Sequence, residues 1–239
     1  MVSLTHKLKQ QARDWGADLV GVADLGRLHG IQSEPHDLLA DYSHAVSLAV
    51  HLSDGVIGTI KDKPTPLYSQ HYMRVNTFLD DLALKVTGLL QAWGGAALPI
   101  PASQVLDYTE LVSYLSHKAV AVAAGLGWQG KSLLTVTKEW GPRIRLVTVL
   151  TNLGLEADAP MKNLCGSCTA CTDACPARAI KNVNTDSHYA AREDAVDIHA
   201  CAATIKKFGD MEHVTPYICG VCIAVCPWGR PKQPGKEAA

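Results

Sequence analysis

The chain has 239 residues, enough for one large domain or two modest ones. Its 47% apolar and 19% charged residues are those of an ordinary globular protein and exclude a disordered or fibrous chain. A net charge of −1 excludes a globally basic, nucleic-acid-binding surface, and no apolar run approaches the ~20 residues needed to span a bilayer.

The N-terminal segment, MVSLTHKLKQQARDWGADLV, has the pattern of a short amphipathic helix over residues 4–15. It lacks the apolar core of a secretory signal and the paired arginines of a twin-arginine signal, which predicts a cytoplasmic protein. Ala17–Leu25 and Ala45–Leu52 are short apolar runs of the buried-strand type. Lys61–Tyr72, with Pro64 and Pro66, reads as a loop. Asn76 is the expected cap of a helix running to Trp93, ended by Gly94–Gly95. Pro99–Ser103 is extended, and Asp107–Glu110 is expected to open a second long helix ending near Gly125. Ser132–Thr137 and Arg143–Leu150 then read as a strand pair turned at Trp140–Pro142, with Asn152–Pro160 as a linker.

Gly125, Leu126, Gly127, Trp128, Gln129, Gly130, Lys131 and Ser132 satisfy both the dinucleotide pattern G-x-G-x-x-G and the phosphate-loop pattern G-x-x-x-x-G-K-S. Both mechanisms need a strand before the loop and a helix N-terminus after it, where backbone amides hold phosphate. Here a helical stretch precedes the loop and a β-rich one follows, so nucleotide binding is not expected. Two readings stay open: a tight helix-to-strand turn, or a backbone platform against which a large cofactor lies.

All eight cysteines lie in the last third. Cys165-x2-Cys168-x2-Cys171-x3-Cys175-Pro is the bacterial run for [4Fe–4S] clusters, in which the fourth cysteine serves the other cluster. Cys219-x2-Cys222-x3-Cys226-Pro is the same run without its first cysteine, and Cys201 is the substitute. Zinc sites are usually built from separated C-x2-C pairs, and reduced cytosolic thiols argue against disulfides. Two [4Fe–4S] clusters use all eight thiolates.

Taken in order, Ala124–Lys131 with Leu133–Leu134, the first cysteine block, and Cys219 to Trp228 resemble the epoxyqueuosine reductases, which group with the cobalamin-dependent reductive dehalogenases. The phrase GADLVGVAD near the N-terminus also fits. The resemblance implies an α+β protein: residues 1–155 as an α/β, nitroreductase-like, cobalamin-binding domain and residues 156–239 as a bacterial ferredoxin-like two-cluster domain. It implies one cluster on Cys165, Cys168, Cys171 and Cys226 and a second on Cys175, Cys201, Cys219 and Cys222. It further implies base-off cobalamin against residues 125–132, with His117 and Lys118 near it, and electrons passing through both clusters to cobalt.

By position the family's catalytic acid falls near Glu110 and Asp107, with Tyr108 a further candidate; Asp-x-x-Glu is equally a helix cap. Two functions follow. One is an oxidoreductase of an anaerobic cytoplasm, fed by reduced ferredoxin or a flavodoxin-type donor and acting on a small molecule. The other is an electron-transfer protein that reduces or activates a corrinoid protein. The chain stops at Ala239, without the C-terminal region that accompanies tRNA in the family, so tRNA is not the expected substrate and no membrane partner is expected.

Overall fold

A computed structural model describes residues 2–28, 30–107, 109–186, 189–215 and 217–230. The first helix, α1 (Leu4–Asp14), is capped by the Ser3 side chain, which accepts from the His6 amide, and buries Leu8 and Ala12. Four strands then make one antiparallel sheet in the order β1 (Leu19–Asp24), β2 (His44–His51), β6 (Ile144–Thr151), β3 (Ala97–Ile100).

The two sheet faces are dressed differently. Val46, Leu48 and Val50 of β2, with Val147 and Val149 of β6, join Leu79, Leu82 and Val86 of α3 (Pro66–Ala92) in the main core. The alternate residues Ala45, Ser47 and Ala49 are small and face α4 (His117–Ala123). Close approach is built in: a Cβ at Gly21 of β1 would lie 2.2 Å from the Ala124 carbonyl at the end of α4. Between β1 and β2 there is one 3-10 turn, Leu25–Arg27, and the four-residue α2 (Asp54–Ile57) precedes α3.

Several boundaries differ from the sequence expectation. The α3 helix starts ten residues before Asn76, because Thr65 caps it and Pro66 occupies its first turn, where no amide donor is missed. Asn76 is internal and accepts from Arg145 Nε. Asp107–Glu110 opens no helix: the Asp107 carboxylate accepts from the amides of Thr109 and Glu110 in a local turn, and Asp107 bridges to Val112. The helix begins instead at His117, capped by Ser116. The expected strand pair is two separate pairings. β5 (Thr135–Val136) pairs with β4 (Trp128–Gln129), while β6 lies between β2 and β3.

The last third is built of short helices: α5 (Ala170–Asp173), α6 (Arg192–Ala195), α7 (Ile198–Gly209) and α8 (Val221–Val225). Packing is continuous across position 155. Val214, Ile218, Val221 and Ile223 share the main core with Leu48 and Tyr68, and the Ser69 hydroxyl exchanges hydrogen bonds with the Thr215 backbone. The 152–160 segment is tied down as well, since Asp158 accepts from Lys9 Nζ and from the Val22 amide at 2.7 Å. Among the described residues no helix is long and apolar enough to cross a membrane.

Candidate functional site

The eight thiols are free and half-buried. Five of them, Cys165, Cys168, Cys171, Cys222 and Cys226, line one cavity together with Lys131, Ser132 and Trp228. Cys175, Cys201, Cys219 and Cys222 interact with one another electrostatically. Position follows from local folding. The first run winds through α5, Cys201 rides on α7, and Cys222 and Cys226 sit on α8 and at its end. An apolar wall of Leu133, Ala179, Ile180, Ala195 and Val196 backs Cys171, Cys175, Cys201 and Cys222.

Burial pushes the Cys219 and Cys226 thiols up to about 11 and the Cys222 thiol higher still. Such thiols become ligands only when a bound metal replaces their protons. Zinc requires sulfurs gathered about 2.3 Å from one point. Among the described residues no three histidine, cysteine, aspartate or glutamate side chains converge in that way. An all-cysteine donor set is that of a cubane cluster, whose four irons each take one thiolate.

The segment 125–132 is the seam between this region and the sheet. Leu126 is buried against Ala49, Ala121 and Ile144. Trp128 is fully buried, sits edge-on to Trp228 at 4.9 Å, and donates from Nε1 to Cys165 Sγ at 3.4 Å. The Gln129 carbonyl accepts from Asn163 Nδ2, and its Oε1 accepts from the Tyr189 amide. Lys131 reaches inward to the Cys168 carbonyl and Asn182 Oδ1, both at 2.9 Å. The helix–loop–strand order that argued against phosphate binding is the observed one. Trp128, Gln129 and Lys131 all engage the cysteine region.

Lys118 is accessible, yet protein mass around it lowers the pKa of its ammonium; Arg145 and Arg192 lower it further, while the thiols of Cys222 and Cys201 raise it. The Lys118 carbonyl accepts from Thr135 Oγ1. Beside it, His117 is held between Thr148 Oγ1 and the Pro101 carbonyl, each at 2.8 Å. A carbonyl only accepts, so the imidazole proton is on Nε2 and Nδ1 accepts from Thr148. Burial, as the largest cause, lowers the His117 pKa to about 4.

Arg145 of β6 acts on both residues. Its guanidinium lies 4.2 Å over the Tyr72 ring, and the Tyr72 hydroxyl is 3.1 Å from Ser103 Oγ.

Of the acid candidates, Glu110 and Asp107 share one exposed loop, where the turn amides lower the Asp107 pKa. Tyr108 lies outside the described residues. Arg192 of α6 holds the loop, donating from Nη2 to the Glu110 carbonyl at 2.9 Å and from Nη1 to the Leu111 carbonyl at 3.1 Å. Sequence reasoning missed Tyr72, Arg143, Arg145 and Arg192. Their partners are tens of residues away, and no local pattern marks them.

Residues 164–229 match the family described as a 4Fe-4S double cluster binding domain. An epoxyqueuosine reductase of Listeria monocytogenes is 35% identical over 122 residues, covering 48% of this chain and 30% of that protein. A tetrachloroethene reductive dehalogenase of Sulfurospirillum multivorans is 27% identical across 95% of this chain and 50% of its own length. This chain therefore spans half or less of either relative.

Solved structures agree in fold. A catabolic reductive dehalogenase, NpRdhA, in complex with 3-bromo-4-hydroxybenzoic acid superimposes with a TM-score of 0.76 at 19% identity, over 95% of this chain and 32% of that one. An epoxyqueuosine reductase with an epoxyqueuosine-modified tRNA-Tyr stem loop gives 0.62 at 22% identity, over 95% of this chain and 65% of that one.

Proposed function

This chain is an epoxyqueuosine reductase-like relative of the reductive dehalogenases, and from that premise we propose that it is a reductase in which two [4Fe–4S] clusters serve a base-off corrinoid. The carrying observation is that Lys118 lies within electrostatic reach of Cys201 and Cys222 on one side and of Arg145 on the other. On the proposed ligand sets one cluster would lie near Lys118, and the other beside residues 128–131, where Trp128 and Lys131 bond to Cys165 and Cys168. That is the layout of a path from a donor to a buried reaction centre.

When bound, the corrinoid would supply a strongly reducing, nucleophilic cobalt. The chain's own residues supply the rest. Cys175, Cys201, Cys219 and Cys222 would hold the nearer cluster, and Cys165, Cys168, Cys171 and Cys226 the farther one. The layered sheet domain, taken as nitroreductase-like, would offer residues 125–127, His117 and Lys118 to the corrinoid. Lys118, with its lowered pKa, gives up a proton more readily than a surface lysine and is placed to protonate a product or hold an anionic substrate. Glu110 and Asp107, on the loop held by Arg192, are further acid candidates, and Tyr108 is kept as one from the sequence alone. Arg145, fixed by Asn76 and Tyr72, keeps the surroundings of Lys118 positive.

The substrate classes to test come from the relatives: a halogenated phenol, a chlorinated ethene, and an epoxyqueuosine-bearing tRNA stem loop. The last runs against the expectation that tRNA is not a substrate, because a structural neighbour is solved with one. Anaerobic turnover with reduced ferredoxin or flavodoxin is expected to consume one of the three. Consumption of none, together with cluster-dependent reduction of an added corrinoid protein, would favour an electron-transfer role instead.

A further inference from the structure

Lys131 is 4% exposed. Its ammonium donates only to neutral oxygens, the Cys168 carbonyl and Asn182 Oδ1. Among the described residues no carboxylate forms an ion pair with it. A buried ammonium without a negative partner is strongly disfavoured, so a chain that keeps one there has an anion to set against it. The cavity that Lys131 lines is also lined by Cys165, Cys168, Cys171 and Cys226, the proposed ligands of one cluster, and by Cys222 of the other. Four thiolates binding a cubane would place net negative charge in that cavity.

We infer that Lys131 is the buried counter-charge of the cluster held by Cys165, Cys168, Cys171 and Cys226, and that it raises that cluster's reduction potential. This rests on the proposed ligand set. It assigns the lysine of the G-x-x-x-x-G-K-S pattern to neither phosphate nor corrinoid. The step is a single electron entering the cluster from a low-potential donor, with no bond made or broken. Added negative charge is stabilised by a fixed cation in a low-dielectric pocket, so the reduced state gains more than the oxidised one.

Two neighbours act in the same direction. Trp128 Nε1 donates to Cys165 Sγ at 3.4 Å, and hydrogen bonds to ligand sulfur favour the reduced cluster. Arg143, 3% exposed, closes the other side by donating to the carbonyls of Ala224, Cys226 and Trp228; its one acidic neighbour, Asp54, is 4.0 Å away.

The experiment is an EPR-monitored redox titration of the anaerobically reconstituted full chain, as wild type and as Lys131→Met, Lys131→Gln and Lys131→Arg. In Met and Gln the reduced-to-oxidised ratio of this cluster at fixed potential is expected to fall about tenfold, a shift of about −59 mV for one electron. The second cluster serves as an internal reference and is expected to move much less, and Arg is expected to stay near wild type. If a neutral variant fails to load this cluster while Arg loads it, the charge requirement stands. An unchanged potential in a fully loaded neutral variant overturns the inference, as does loss of the cluster in Arg and neutral variants alike. Wild-type iron well below about eight per chain would instead break the ligand reading itself.

Discussion

Arg192 Nη1 donates to the Leu111 carbonyl at 3.1 Å, joining α6 of the cysteine-rich region to the tip of the loop that carries Asp107 and Glu110. Leu111 has φ +56°, a left-handed conformation that a leucine holds only when its surroundings impose it. The same guanidinium also holds the Glu110 carbonyl. Arg192→Ala is therefore expected to release the loop with little effect on the fold, costing about 1 kcal/mol. Hydrogen exchange should rise at residues 109–112 and stay unchanged in β2 and β6. Equal exchange in both proteins would show that the loop is held by other means.

His117 gives the protein an acid sensitivity of its own. With a folded pKa near 4 and an ordinary unfolded value of 6.5, the unfolded chain binds the extra proton first. Stability from this residue is complete above pH 6.5 and is lost as pH falls toward 4, by roughly 3 kcal/mol in full. His117→Gln should flatten that part of the stability–pH curve. Parallel curves between pH 7 and 4.5 would contradict the assignment.

Lys118→Met should leave iron content unchanged and lower turnover at least about tenfold, equivalent to about 1.4 kcal/mol of transition-state stabilisation. Its lowered pKa also places the alkaline limb of the pH–rate profile below the range of an ordinary lysine. Full activity in the Met variant would remove Lys118 from the chemistry.

Gly127→Ala tests the seam. The added Cβ would lie 2.1 Å from the Val136 carbonyl oxygen, and the atoms it meets, in Val136 and Thr137, are backbone that cannot swing aside. A loss of about 2–4 kcal/mol is expected in chemical denaturation. A variant of wild-type stability would mean that β4 and β5 can part at no cost.

The sequence carried the chemistry better than the boundaries. Cysteine spacing alone marked eight thiols as cluster ligands, because a ligand run is a local pattern, whereas their division between two clusters came from the family resemblance. Pro66 misled, since a proline that breaks a helix interior is well tolerated in its first turn. Asp107 misled similarly: the carboxylate that can cap a helix serves a turn here, and the helix waits for Ser116. Lys131 had a familiar pattern around it, but the direction of its side chain is set by Asn182 and Cys168, 51 and 37 residues away. Arg145 and Arg192 had no local signal at all, because each is defined by partners on other elements.

The most direct measurement is anaerobic reconstitution with iron, sulfide and hydroxocobalamin, followed by EPR and metal analysis of the same filtered sample. A cluster path ending at a corrinoid beside Lys118 requires about eight irons and about one base-off Co(II) per chain. A chain that holds its iron while all the cobalt passes into the filtrate would contradict it.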